Sequence, residues 1–388
     1  MTFDIIILGS GLAGYTLAKT LRQQKNDASI AIITSDDGRF YSKPLLSTGF
    51  AKNKSADELA TKTAHMMADE LNISVFNHTF VEQIDRENKA LVIKDEDFPM
   101  NYQQALVLAT GAAPIQIPLP EAIKDRTFAI NDLDDYQTFR DNLAKSSNKP
   151  PRVAIIGSGL VGTEYANDLT LSGAKVSVIS LDQSPLQLLL PSELGQNVQT
   201  ALSEKGVDWH FNTTIDTASA DEQNINLTLK DGSTIECDIV LSAVGLAPRD
   251  KLAADANLET NRGIVVNEYL QTNDPHIYAL GDCARINGVN LMYVAILTLG
   301  AKALTKTLNG EKTALTMPAS PVIVKTPSCP VVASPPQKDA QGSWTIEGEA
   351  PDMKACFYDK DMNLLGFGLT GKKVMERMKL AKQLPAIL

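Results

Sequence analysis

Two sets of glycines carry the clearest chemistry in this 388-residue chain. Gly9, Gly11 and Gly14 follow the apolar run Asp4-Ile-Ile-Ile-Leu8, and Gly157, Gly159 and Gly162 follow Arg152-Val-Ala-Ile-Ile156. In each, the first glycine permits a tight turn, the second lets backbone approach a pyrophosphate, and the third lets a new helix pack close on the strand. Free N–H groups and the macrodipole at such a helix start favour an anion, which Leu12 and Ala13, or Leu160 and Val161, would flank. One such turn is weak evidence; two on one chain predict two dinucleotides.

Other residues extend this chemistry. The strand after the first turn ends Thr34-Ser35-Asp36-Asp37, and Asp36 is the candidate acid for an adenosine ribose. The alternative is that Asp36, Asp37 and Gly38 only make a turn. Lys43 precedes Pro44 in a neighbourhood too apolar for an ordinary surface lysine. Asp282 ends the run Ile277-Tyr-Ala-Leu-Gly-Asp282, which places it at the carboxyl edge of a sheet, where open α/β folds bind ligands. The strand after the second turn ends Ser180-Leu181-Asp182, and no Lys or Arg occurs from Val176 to Glu204. Without a cation for a 2′-phosphate, NADH is expected rather than NADPH.

Composition narrows the classes. Apolar content of 44% with 21% charged residues is ordinary globular chemistry, and a net charge of −10 argues against nucleic acid or an anionic membrane surface. Cys237, Cys283, Cys329 and Cys356 are far apart with no C-x-x-C pair, and four scattered histidines suggest no metal site. The first strand begins by Asp4, leaving no room for a leader, and apolar runs break before a membrane span's length. A cytoplasmic monomer is expected.

These residues need two sheets to position them. Helix over 13–24, strand over 29–34, a charged helix over 56–71, short strands at 73–76 and 90–93, and the buried run Ala105 to Pro114 build the first nucleotide-binding unit. Asp238 to Arg249, which contains Gly245, echoes the 105–114 run, which contains Ala109, Thr110 and Gly111. The pattern of strand, glycine turn, helix and closing strand is thus used twice. A helix over 133–143, a linker over 145–151, and an antiparallel meander from Trp209 to Cys237 belong to the second unit, and an apolar helix over 292–308 aims its N-terminus at the first sheet's edge. The expected fold is α/β, with two Rossmann-like dinucleotide-binding domains and a small α+β C-terminal domain. The boundaries are 1–114 with 246–312, 115–245, and 313–388, the last with a helix over 372–382.

Taken together, the two glycine turns, Ala109-Thr110-Gly111 and Tyr278-Ala279-Leu280-Gly281-Asp282 resemble the FAD-dependent pyridine nucleotide oxidoreductases over nearly the whole chain. The resemblance implies FAD on the first turn, with Gly281 beside it and Asp282 bonding its ribityl chain, and NADH on the second. Leu46-Ser47-Thr48-Gly49 stands where peroxidase relatives carry a cysteine, so dithiol and peroxide chemistry are not expected. Tyr41-Ser42-Lys43-Pro44 together with Val324-Lys325-Thr326-Pro327 resembles the branch that passes electrons to rubredoxin, a small acidic one-electron iron carrier, in hydrocarbon oxidation. It implies that Lys43 lies near flavin N5, that Lys325 approaches from the C-terminal domain, and that Glu164 faces the nicotinamide and pairs with a flavin-side lysine. Thr48 stands where some relatives carry that lysine, which leaves open which lysine Glu164 meets. A basic segment with Lys372, Lys373, Arg377, Lys379 and Lys382 is the candidate docking patch, or a solvated helix face. A ferredoxin reductase-type flavoprotein and a slow redox sensor remain as alternatives.

Overall fold

The computed structural model describes residues 1–290 and 292–387; Leu291, and Leu388 at the end of the expected C-terminal domain, lie outside the described residues. Ile5, Ile6 and Ile7 are fully buried, as expected of a central parallel strand covered on both faces. That strand, Thr2–Leu8, pairs in parallel with Ile30–Ile33 on one side and Met100–Leu108 on the other. Ser74–Phe76 extends the sheet beyond Ile30–Ile33, and Ile277–Ala279 pairs in parallel with Leu106–Leu108. The first sheet therefore takes its last parallel strand from far along the chain.

The second sheet is wholly parallel, in the order Thr127–Phe128, Ile239–Ser242, Arg152–Ile156, Lys175–Ile179, Val207–His210. Both chain crossings between the two sheets run side by side as an antiparallel ribbon, Ala112–Pro114 against Leu246–Pro248. A third, antiparallel sheet holds Val322–Val324, Val331–Ser334, Leu364–Thr370, Asp352–Tyr358 and Ser343–Glu349. It packs so closely on the second unit that a Cβ on Gly368 would meet Leu190 Cδ2 at 2.7 Å.

Three local expectations are corrected. The stretch 56–71 is not one helix but Ala56–Leu59, strand Ala60–Lys62 and helix Ala64–Leu71. Ser55 and Thr63 each cap a helix start, and the intervening strand pairs with Phe40–Tyr41, so capping and pairing override a charged helical pattern. Val207–His210 belongs to the parallel sheet, and the meander begins only at Ile215. The C-terminal helix is a 3₁₀ turn, Gly371–Glu376, followed by one short helix, Arg377–Ala381.

Candidate active site

Both glycine turns behave as their spacing predicts. Gly9 has φ +119°, and a Cβ there would sit 2.2 Å from the Ala109 carbonyl oxygen; Gly157 has φ +104° and the same relation to Ala243 at 2.7 Å. Cβ atoms on Gly14 and Gly162 would each lie 2.0 Å from the oxygen of the turn's first glycine. Gly11 and Gly159 differ, since nothing lies within 4 Å of their Cβ positions. These two glycines face open space at the starts of helices Leu12–Gln23 and Leu160–Leu171, neither of which has a side-chain cap or an acid in its first turn. Helix starts that face a cavity with neither a side-chain cap nor a first-turn acid suit a pyrophosphate at each turn.

One continuous cavity of about 2200 Å³ joins the two turns, a volume well above that of an ordinary single-ligand pocket. All the predicted site residues line it except Gly14, Gly162 and Gly281. The first two sit behind the turns against backbone, and Gly281, at φ +82°, sits where a Cβ would meet the Ala13 Cβ at 2.8 Å. In the first site, Asp36 Oδ1 accepts from Ser10 Oγ at 2.9 Å, Thr34 Oγ1 at 2.7 Å and the Gly38 N–H at 2.9 Å. The second site repeats this arrangement: Asp182 Oδ2 accepts from the hydroxyls of Ser158 and Ser180, each at 3.1 Å. Asp36 thus makes the turn and also lines the cavity. The helix Val294–Leu308 starts at the cavity wall with neither a side-chain cap nor an acid in its first turn.

Glu164 is 2% exposed and lies between Ser47 and Lys325, which come from distant parts of the chain. Its Oε2 accepts from Ser47 Oγ at 2.6 Å and from Lys325 Nζ at 2.5 Å, while Oε1 accepts the Lys325 backbone N–H at 2.9 Å. The lysine that Glu164 meets is therefore Lys325. Lys43 instead donates to Asn131 Oδ1 at 2.6 Å. Burial lowers the Lys43 pKa, opposed mainly by Asp282. Burial raises that of Asp282, opposed by Lys43.

The sequence did not single out the residues that hold this junction. One turn beyond Glu164, Asp168 accepts the N–H groups of Phe50 at 2.8 Å and Ala51 at 3.2 Å, and Asn167 accepts that of Ser328 at 3.2 Å. Burial pushes the Asp168 carboxyl up to about 6. The available signal was Glu164-Tyr-Ala-Asn167-Asp168, three polar residues within five in the helix opened by an otherwise apolar glycine turn. All four cysteines are buried and free, and burial pushes the Cys237 thiol up to about 12.

The pattern of the family described as "Pyridine nucleotide-disulphide oxidoreductase" matches residues 3–298. The chain belongs to this family. It is an oxidoreductase that uses FAD and NAD(H), and the cavity's two pyrophosphate cradles fit both. Residues 314–384 match a second pattern, "Rubredoxin binding C-terminal domain". The chain is 43% identical over 385 residues to a rubredoxin-NAD(+) reductase of Alcanivorax borkumensis, with 99% of each chain covered. It is 39% identical over 388 residues to one from Acinetobacter baylyi, covering 99% of this chain and 98% of that one. Its fold matches putidaredoxin reductase in a covalent complex with putidaredoxin, at TM-score 0.88 and 23% identity, covering 99% and 94% of the two chains.

Proposed function

We propose that this protein takes reducing equivalents from NADH through FAD and delivers single electrons to rubredoxin, in service of hydrocarbon hydroxylation. The observation that carries the proposal is the placement of the C-terminal segment. Met378 and Ala381 line the cavity that Lys43 and Glu164 also line, and Lys372, Lys379 and Lys382 are exposed around them. A basic rim beside a flavin cavity suits an acidic carrier, whose approach to a chain of net charge −10 would otherwise be slowed. The rubredoxin-binding pattern over 314–384 and the names of the two most similar relatives quoted support the same partner.

FAD supplies the conversion between a two-electron donor and a one-electron acceptor. The protein's own residues bind and orient. The turns at Gly9–Gly14 and Gly157–Gly162 would hold the two pyrophosphates, Asp36 and Asp182 would meet the two adenosine riboses, and Asp282 would meet the ribityl chain. Lys43 would stand by the flavin as a cation, and Glu164, fixed by Ser47 and Lys325, would shape the nicotinamide side. The units doing this are 1–114 with 246–312, 115–245 and 313–388, in a cytoplasmic monomer.

Anaerobic stopped-flow absorbance of the FAD-loaded protein, mixed with NADH and then with oxidised rubredoxin, tests this reading. Fast bleaching followed by rubredoxin reduction on the turnover timescale is expected. Bleaching without transfer, while oxidised ferredoxin is reduced quickly, would replace the carrier. Slow bleaching into a stable complex would replace the enzyme with a sensor.

A further inference from the structure

Two lysines line the cavity in opposite electrostatic circumstances. The Lys325 ammonium lies 2.5 Å from Glu164, so its charge is compensated on the spot. The Lys43 ammonium donates instead to a neutral carboxamide oxygen, Asn131 Oδ1 at 2.6 Å, and among the described residues no carboxylate reaches it at ion-pair distance. The charged groups that face it from farther off are Asp282, Arg249, Asp132 and Asp135.

Asn131 is built to hold this position. It is 5% exposed, its Nδ2 donates to the Ala112 carbonyl oxygen at 3.1 Å, and its backbone N–H donates to Asp135 Oδ2 at 2.9 Å. Nδ2 is committed to a carbonyl acceptor, so the amide presents its oxygen to Lys43. Ala112 lies in the ribbon between the two dinucleotide sheets, which ties Asn131 to rigid backbone.

The choice of a neutral acceptor has an electrostatic consequence. Hydride transfer from NADH carries two electrons and one proton and would add one negative charge to an isoalloxazine bound here. A fixed, desolvated cation stabilises that charge, and a carboxylate bound to the same cation would cancel much of the effect. We propose that Asn131 is a positioning residue: it holds the Lys43 ammonium in the flavin cavity without neutralising it, and so raises the reduction potential of bound FAD. This rests on the reading of Lys43 as the flavin-side cation.

The test is equilibrium reduction of the FAD-loaded protein against a reference dye, for wild type, N131D, N131L, K43M and N131L/K43M. In N131D a carboxylate takes the place of the amide. In N131L the ammonium loses its acceptor and turns to Asp282. Both are expected to lower the ratio of reduced to oxidised FAD affinity about tenfold, about 30 mV for a two-electron couple. K43M is expected to lower the potential at least as far, and N131L to add nothing in the K43M background. Unchanged potentials in N131D and N131L beside a lowered one in K43M would overturn the role of Asn131 alone. An unchanged potential in K43M would overturn the reading of Lys43 and this inference with it. An equal N131L shift with and without Lys43, or loss of FAD from both Asn131 variants but not from K43M, would show a purely structural role and overturn the proposal.

Discussion

Asp168 makes stability depend on pH in a direction opposite to that of most acids. A carboxylate that is ion-paired or accepts hydrogen bonds has a lowered pKa in the folded state, and its stabilisation is lost as pH falls through that value. Asp168 is 4% exposed, and burial raises its pKa from 3.8 to about 6, even though two backbone N–H groups favour the anion. The folded state therefore binds its proton more tightly than the unfolded state does. The resulting stabilisation is complete below the unfolded value near 3.8 and is lost as pH rises through about 6. That difference is worth about 3 kcal/mol, spread over the window. D168N removes the titration while keeping one acceptor for Phe50 or Ala51. Urea unfolding of both proteins at intervals from about pH 4 to about pH 7 isolates the effect, since every other group titrates alike in the two. The stability of wild type relative to D168N should fall by about 3 kcal/mol across the window. Parallel curves, or a wild type that gains on the variant as pH rises, would refute the assignment of a protonated buried carboxyl to this junction.

Three other outcomes are expected. K325M leaves the Glu164 carboxylate buried without its cation, and because the Lys325 side chain is 27% exposed the loss should sit near the low end for a broken buried pair, about 3 kcal/mol. E164Q/K325M should recover a large part of it, and additive losses in the urea midpoints would show that the two are not coupled. D182S should narrow the preference for NADH over NADPH about tenfold in kcat/KM, the worth of one charge-assisted hydrogen bond, and an unchanged ratio would remove Asp182 from the ribose site. Charge reversal in K379E/K382E should raise the KM for rubredoxin several-fold, more so at low salt, with NADH-driven flavin reduction unchanged; equal carrier kinetics at every ionic strength would place the docking patch elsewhere.

What the sequence made legible was local in origin. Positive φ at Gly9 and Gly157, where any Cβ would come within 2.2 Å and 2.7 Å of a backbone oxygen, leaves a signature readable within six residues. The same is true of strands such as Ile5–Ile7, buried on both faces. The junction was legible only in part, because its partners lie far apart: Glu164 meets Lys325 from 161 residues away, and Lys43 meets Asn131 from 88. No spacing rule reaches that distance. Residues 56–71 misread for the opposite reason, since two strong local caps at Ser55 and Thr63 cut a plausible helix into pieces.

The ribbon of Ala112–Pro114 and Leu246–Pro248 also bears on the order in which the chain can assemble during synthesis. Every strand of the second sheet lies between residues 127 and 242, so this unit can close while the ribosome is still adding the rest. The first sheet cannot do so, because it waits for Ile277–Ala279, which arrives after the whole inserted unit and carries Asp282 just beyond it. An N-terminal half with an open position beside Leu106–Leu108 exposes an unsatisfied strand edge for that interval. The nascent chain is thus most vulnerable to mispairing between the emergence of its first sheet and that of its last parallel strand.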